Sequence, residues 1–223
     1  MTRYIQRHSG LVRFTHYVHL IACVALILTG LVIFVPAIGH ALGFGTVQAI
    51  RIGHRIFAVA FILIPLSSLI RSPKGAVHKV KELFAPWDAD DKRFMKLFLP
   101  YLFNPKKIHM PKQGETKSGQ RLADGGLVAF SILIAISGIV LWAGVYAGPI
   151  AIRIALLVHD VSFLMIAVIG LAHGYLGAGI FQPYRGSARL MFGDGRVSES
   201  DALYHWGHWA AKELASGKNV VEE

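Results

Sequence analysis

Two histidines in the last apolar stretch of the chain stand at a spacing that favours one face of a helix. His159 and His173 are 14 residues apart. On an α-helix this is about 21 Å of rise and about 1400° of turn, or about 40° short of a whole number of turns. Imidazoles at membrane depth are costly to place, so both are candidates for metal ligation or proton transfer. His16, His19 and His54 lie in or beside two other apolar stretches and extend this set.

The cysteine count limits which kinds of metal site the chain can form. Among 223 residues there is one cysteine, Cys23, against 11 histidines. This count excludes a disulfide framework, a Cys-x-x-Cys-His haem attachment and an iron–sulfur cluster held by thiolates. Histidine is therefore the main supply of metal ligands.

The elements that must position these histidines are four apolar stretches at about 17–35, 52–70, 125–146 and 150–181. Each is long enough, as a helix, to cross a hydrocarbon core of about 30 Å. Charged residues make up 16% of the chain, against roughly 25% in soluble domains. The sequence predicts an all-α fold with a bundle of four transmembrane helices.

The basic residues predict the orientation of this bundle. The formal net charge is +10; three of the 23 Lys and Arg residues precede the first span, twelve lie at 71–121 and five follow the fourth span. Because cytoplasmic segments carry the excess of Lys and Arg, both termini and the long connection are expected in the cytoplasm. The basic residues follow this topology and form no contiguous groove, so nucleic acid is not an expected partner.

The alternation of the spans places the histidines in pairs. His54 and His159 are expected at the outer level, and His173 at the cytoplasmic level with either His16 or His19. Two pairs at two depths match what bis-histidine ligation of two b-type haems requires. The spacing alone leaves the choice between His16 and His19 open.

Two further segments lie outside the spans. The 71–124 connection contains an amphipathic pattern that predicts a helix on the cytoplasmic leaflet, formed by Phe94, Leu97, Phe98, Tyr101 and Leu102. The tail carries the run from Tyr204 to Trp209, interpreted as a docking surface or an interfacial segment. We expect a membrane di-haem domain at 1–184, including this connection, and a cytoplasmic tail at 185–223.

With these residues assembled, the chain resembles the cytochrome b (gamma) subunits of respiratory formate dehydrogenases. The same resemblance extends to the related cytochrome b subunits of nickel–iron hydrogenases and thiosulfate reductases. The motifs that carry it are Arg13-x-x-His16 before Gly30, Arg51-x-x-His54, Gly119-Gln120, Leu157-x-His159 with His173, Gly186-Ser187 and Gly195-x-Val197-Ser198.

The resemblance implies a ligand set. It assigns His54 and His159 to the outer haem b and His16 and His173 to the inner one. It selects His16 over His19 because the family's ligand stands fourteen residues before the glycine that matches Gly30.

The resemblance also implies a quinone, either menaquinone or ubiquinone, reduced beside the inner haem. The residues expected to contact it are Lys117, Gly119, Gln120 and His173. Here Lys117 stands where the family has asparagine. A lysine donates as a point charge on a flexible stem, so the pose of the head group is expected to differ.

The partners implied are an iron–sulfur beta subunit and a catalytic molybdenum or tungsten alpha subunit, on which formate would be oxidised. The complex is expected in the bacterial inner membrane, in contact with lipid. A homo-oligomer of the complex is a further candidate assembly. A hydrogenase or thiosulfate reductase complex is the nearest alternative. A proton- or metal-coupled transporter that uses the same histidines is the alternative from another class.

Overall fold

The computed structural model describes residues 3–182 and 184–223, except the side chain of Val145. In chain order the elements are β1 (Arg3–Gln6), α1 (Gly10–Phe34), α2 (Pro36–Leu42), α3 (Phe44–Arg71), α4 (Pro73–Leu83), α5 (Ala89–Phe103), α6 (Ser118–Trp142), a 3₁₀ turn (Gly144–Tyr146), α7 (Pro149–Gly177), α8 (Arg189–Phe192), β2 (Arg196–Ser198), α9 (Glu199–His205), α10 (Gly207–Ser216) and β3 (Val220–Glu222). The helices α1, α3, α6 and α7 are long and apolar enough to cross a membrane. The predicted all-α fold with four spans is confirmed.

The helices differ from the predicted spans mainly at their ends. Both α1 and α6 begin seven residues before the predicted starts at 17 and 125. Hydropathy marks the part of a helix that suits lipid, whereas the helix itself continues through polar residues as long as its backbone hydrogen bonds are made. The connection between α1 and α3 contains α2, which starts at Pro36 and is followed by Gly43 at φ +80°. Proline at the first turn and glycine after the last one suit these two positions.

Contacts divide the chain into two compact units. The membrane unit comprises Phe14–Arg71 and Gly126–Gly170. The sheet unit comprises Met1–Arg13, Ser72–Gly125 and Leu171–Glu223.

The membrane unit buries few of its own side chains. Within its described residues, those that are buried are Ala22, Phe61, Ser137, Ala155, Ser162 and Ile166. Large apolar side chains such as Leu28 and Ile132 are more than half exposed. A water-soluble domain would bury such apolar surface, so the surface of this unit suits contact with lipid.

The sheet unit has a core of its own around a small antiparallel sheet in the order β2-β1-β3. The core residues are Ile5, Leu190, Val197, Ala202, Trp206, Trp209 and Ala210. The exposed fractions of Trp206 and Trp209 are only 7% and 8%. Interpreting these two tryptophans as a docking surface was therefore wrong, because their rings fill this core.

The Gly195-x-Val197-Ser198 motif has a structural role in this unit. Gly195 adopts φ +80°, and a Cβ on it would clash with the carbonyl oxygen of His8. Its own carbonyl accepts the backbone N–H groups of Arg7 and His8. Val197 belongs to the core, and the hydroxyl of Ser198 accepts the N–H of Asp201 at 3.2 Å, which caps α9.

The amphipathic helix predicted in the long connection is α5. It begins with a capping box between Asp88 and Asp91. Phe94 and Tyr101 are buried, and the Tyr101 hydroxyl lies 3.0 Å from that of Tyr204. At these two positions the face expected on lipid contacts protein within the sheet unit.

A buried ion pair joins α5 to the start of α6. Arg121 Nη2 donates to Asp91 Oδ2 at 2.6 Å, and both side chains are at most 10% exposed. The hydroxyl of Ser118 donates to Asp91 Oδ1 at 2.8 Å. Buried charges are tolerated when they are paired and hydrogen-bonded in this way, so the network fixes the backbone beside Lys117.

Candidate functional site

His54 of α3 and His159 of α7 lie together in the membrane unit, as the sequence predicted. Their ring centres are 6.4 Å apart, and their planes meet at 62°. Two metal–imidazole bonds of about 2.0 Å, with about 1 Å from each nitrogen to its ring centre, separate two axial imidazole centres by about 6 Å. The pair is therefore spaced to hold one metal ion between two imidazoles.

Each imidazole of this pair is hydrogen-bonded through Nδ1 to a hydroxyl on a neighbouring helix. Thr29 Oγ1 of α1 lies 2.8 Å from His54 Nδ1. Ser137 Oγ of α6 lies 3.2 Å from His159 Nδ1. Nε2 is the ring nitrogen that these hydroxyls do not engage, and it is the one left for a metal.

A glycine follows each of these hydroxyl residues. A Cβ on Gly30 would lie 3.5 Å from His54 Cε1, and one on Gly138 would lie 3.2 Å from His159 Cε1. The first distance is an ordinary contact, and the second would be a tight one. At Gly138 the imidazole thus approaches the helix more closely than an alanine comfortably allows.

The pair has the ligand number of a haem and not that of a protein-bound zinc ion. Zinc sites in proteins use three or four protein ligands. Across the described residues, no group of three or more His, Cys, Asp or Glu side chains is placed to hold a metal ion. His54 and His159 would supply the two protein ligands of a bis-histidine haem.

The other predicted ligands are placed in separate units. His16 is a residue of the membrane unit, whereas His173 is a residue of the sheet unit. His19, the rejected alternative, stacks on Phe61 with ring centres 4.4 Å apart and planes at 27°.

Lys117, predicted from the resemblance as a quinone contact, is buried in the sheet unit at 6% exposure. Its Nζ lies 3.2 Å from Nδ1 of His205. It also lies 4.5 Å from the ring centre of Tyr184 and 4.7 Å from that of Trp206. We call these four residues, with Arg7, the Lys117 cluster.

Burial controls protonation in the Lys117 cluster. Loss of solvent, reinforced by the nearby Arg7 charge, holds the pKa of Lys117 well below its usual range. Burial, followed by the charges of Lys117 and Arg7, lowers the pKa of His205 to about 3. Burial raises the pKa of the Tyr184 hydroxyl to about 12. The cluster thus favours neutral His205 and Tyr184.

Arg7 closes the cluster on its other side. Its guanidinium lies 4.0 Å from the ring centre of Trp206 and 4.7 Å from that of Trp209. Its Nη2 donates to the carbonyl oxygen of Glu115 at 2.5 Å. Burial lowers the pKa of Arg7 to about 10, so it remains the permanent cation of the cluster at neutral pH.

A narrow pocket opens beside Lys117 and is lined in addition by Phe94, Tyr101, Met110, Pro111, Gln113, Tyr184, Tyr204 and His205. Gly119 packs against Phe94, with 3.5 Å from a Cβ on the glycine to the ring. Gln120 is directed elsewhere, because its Nε2 donates to Asp124 Oδ2 at 3.3 Å. Of the predicted quinone contacts, only Lys117 lines this pocket.

Sequence reasoning missed Thr29, Ser137 and Tyr184, and it included His205 only as part of the run from Tyr204 to Trp209. Thr29 and Ser137 each precede a glycine, Gly30 and Gly138, inside an apolar stretch, and a hydroxyl beside such a glycine was the available signal. His205 and Tyr184 had no comparable signal, since their contacts depend on how the last forty residues fold.

Comparison with known families bears on the histidine pair. The sequence profile described as prokaryotic cytochrome b561 matches residues 7–194, which is most of the chain. The comparison with curated proteins gives no match. The matched range contains all four predicted haem ligands. The chain belongs to the prokaryotic cytochrome b561 family, a family of bacterial membrane proteins that bind b-type haem and transfer electrons.

Proposed function

We propose that the chain is the di-haem cytochrome b subunit of a respiratory formate dehydrogenase complex and passes electrons from an iron–sulfur subunit to a quinone. The observation that carries this proposal is the His54–His159 pair, with ring centres 6.4 Å apart inside the membrane unit. Family membership supports membrane electron transfer with b-type haem. The formate dehydrogenase assignment rests on the resemblance of the motifs.

His54 and His159 would hold one haem, and His16 and His173 the second. Each haem supplies one-electron transfer, while the chain sets its position and environment. The stacking of His19 on Phe61 supports His16 as the ligand, because His19 already has a packing role. Apolar surroundings suit a neutral imidazole pair, since neither ligand brings a charge into lipid.

The quinone would be bound in the sheet unit, where Lys117, Gly119, Gln120 and His173 all belong. Lys117 would donate a hydrogen bond from Nζ to a quinone carbonyl. Reduction of a quinone to a quinol consumes two protons, and the Lys117–His205 contact of 3.2 Å places two exchangeable groups at the pocket. This contact supports a site where a quinone carbonyl would meet hydrogen-bonding groups.

The donor must lie on another chain. With Cys23 as its single cysteine, this chain cannot hold an iron–sulfur cluster by thiolates. An iron–sulfur subunit is the kind of partner that family membership suggests. The formate-oxidising subunit with molybdenum or tungsten would complete the assembly, with both termini of this chain in the cytoplasm. A hydrogenase complex is equally compatible with the family.

The test is purification of the full chain from its native membrane with whatever remains bound to it. We expect a dithionite-reducible b-type spectrum and about two haems per chain by pyridine haemochrome assay. A folded but colourless protein would contradict the proposal and favour a histidine-based transporter. Co-purification of a formate-oxidising subunit would confirm the complex, whereas a nickel–iron subunit would replace formate dehydrogenase with hydrogenase.

A further inference from the structure

We propose that Thr29 and Ser137 are positioning residues that fix His54 and His159 in the tautomer that ligates metal. This inference rests on the proposed haem at His54 and His159. It assigns a role to two hydroxyl groups on helices that carry neither of these histidines. It follows from the direction of the hydrogen bonds around each hydroxyl.

The hydroxyl hydrogens are already committed to backbone carbonyls. Thr29 Oγ1 donates to the carbonyl oxygen of Ala25 at 2.7 Å. Ser137 Oγ donates to that of Leu133 at 2.8 Å. A hydroxyl has one hydrogen and two lone pairs, so toward an imidazole each oxygen must accept.

The acceptor role of the hydroxyls determines which imidazole nitrogen carries the proton. Nδ1 of His54 must therefore donate to Thr29 across 2.8 Å. Nδ1 of His159 lies 3.2 Å from the Ser137 hydroxyl, and the backbone carbonyl of Ile134 is a second acceptor for this ring. A neutral imidazole that is protonated on Nδ1 has its lone pair on Nε2. That lone pair is the ligand, and the outer hydrogen bond fixes both the tautomer and the ring orientation.

The device occurs twice in the same form. A hydroxyl residue is followed by glycine at Thr29-Gly30 on α1 and at Ser137-Gly138 on α6, and each dipeptide faces one histidine of the pair. The hydroxyl binds the ring nitrogen, and the glycine admits the adjacent ring edge. A serine or threonine that bonds its own helix is common in membrane spans. Two of them that also accept from two opposed imidazoles indicate a built site.

The hydrogen bonds should tune the metal as well as hold the rings. An Nδ1–H that donates to an oxygen makes the imidazole a stronger electron donor, which stabilises ferric iron over ferrous iron. Removing either bond should therefore raise the reduction potential of that haem. Its removal should also free the rings to rotate away from the 62° angle between their planes. The anisotropy of the ferric electron paramagnetic resonance signal depends on this angle.

The experiment uses the intact complex with Thr29→Val, Ser137→Ala and the conservative variant Thr29→Ser. Ser67→Ala is the matched control, because Ser67 also donates to its own helix, at the carbonyl of Ile64, and contacts no imidazole. The readouts are haem content, the potentiometric titration of each haem, and the paramagnetic resonance spectrum of the oxidised protein.

In Thr29→Val and Ser137→Ala we expect both haems to be retained, with one haem shifted to an about tenfold higher ratio of ferrous to ferric iron at a fixed potential, which is 59 mV for a one-electron couple. The resonance signal of that haem should change. In Thr29→Ser, the reduction potential and the resonance signal should both stay at their wild-type values. Unchanged potential and signal in Thr29→Val and Ser137→Ala would overturn the inference and leave the haem assignment intact. Absence of haem from the wild-type chain would instead overturn the proposed function.

Discussion

The His54–His159 pair and the Lys117 cluster differ in how they handle charge. Each of the two imidazoles is hydrogen-bonded to a hydroxyl group, on α1 for His54 and on α6 for His159. In the cluster, Lys117 and Arg7 lie against the same Trp206 ring, 4.7 and 4.0 Å from its centre. Burial and the Arg7 charge oppose protonation of both Lys117 and His205. The first region positions two imidazoles by hydrogen bonds to hydroxyls, whereas the second keeps titratable groups neutral beside a buried arginine.

The largest effect is expected from removing one ligand of the pair. His54→Ala or His159→Ala should lower the haem content from about two per chain to about one, because a bis-histidine site needs both axial imidazoles. Pyridine haemochrome assay of the purified complex measures this loss. His40→Ala is the control, since His40 is an exposed histidine of the same unit. Equal haem content in all three variants would remove His54 and His159 from the ligand set.

The proximity of these two histidines follows from the sequence for a physical reason. Spans of known length that alternate in direction assign each histidine a depth, and depth alone brings His54 to His159. Depth does not determine rotation about a helix axis. The contacts of Thr29 and Ser137 depend on that rotation, so they could not be derived from hydropathy.

The next effect concerns the Lys117 cluster. Lys117→Met keeps an unbranched side chain and removes the donor to the proposed quinone carbonyl. We expect both haem spectra to be unchanged and the rate of quinol formation by the complex to fall at least tenfold, which corresponds to about 1.4 kcal/mol or more of lost stabilisation. The exposed Lys107, changed to Met, is the control. Quinone reduction at the wild-type rate in Lys117→Met would exclude Lys117 from the quinone site.

The fold around the Lys117 cluster could not be predicted from the sequence. The strands β1, β2 and β3 have four, three and three residues, too few to show a period of two. They also join the first residues of the chain to the last, as in the pairing of Ile5 with Val220. Without knowledge of these strand pairings, a polar stretch with scattered aromatic residues is predicted to be a tail.

A smaller effect is expected from pH. The pKa of His205 is about 3 in the folded protein against an ordinary 6.5, and Lys117, Arg7, Tyr184 and Tyr204 face it. Between pH 6.5 and 3, His205 is protonated in the unfolded chain and neutral in the folded chain. The free energy of unfolding of the sheet unit should therefore fall between pH 6.5 and 3, by up to about 1.4 kcal/mol per pH unit from this group.

Tryptophan fluorescence during acid titration measures this decrease, because Trp206 and Trp209 are in the core of the unit. His205→Gln should flatten the pH dependence in this window, whereas the exposed His109→Gln should not. A wild-type slope in His205→Gln would show that another group governs acid sensitivity.

The smallest effect separates the two glycines of the pair. A Cβ at position 138 would lie 3.2 Å from His159 Cε1, whereas at position 30 it would lie 3.5 Å from His54 Cε1. Alanine also favours a helix over glycine by roughly 0.5–1 kcal/mol, so Gly30→Ala should be close to neutral. Gly138→Ala must displace an imidazole by a few tenths of an ångström and should shift the haem absorption band. Gly170→Ala is the control, because nothing lies within 4 Å of its Cβ. If all three variants have the wild-type spectrum, the close approach at Gly138 does not constrain the ligand, and the hydroxyls alone would hold the ring.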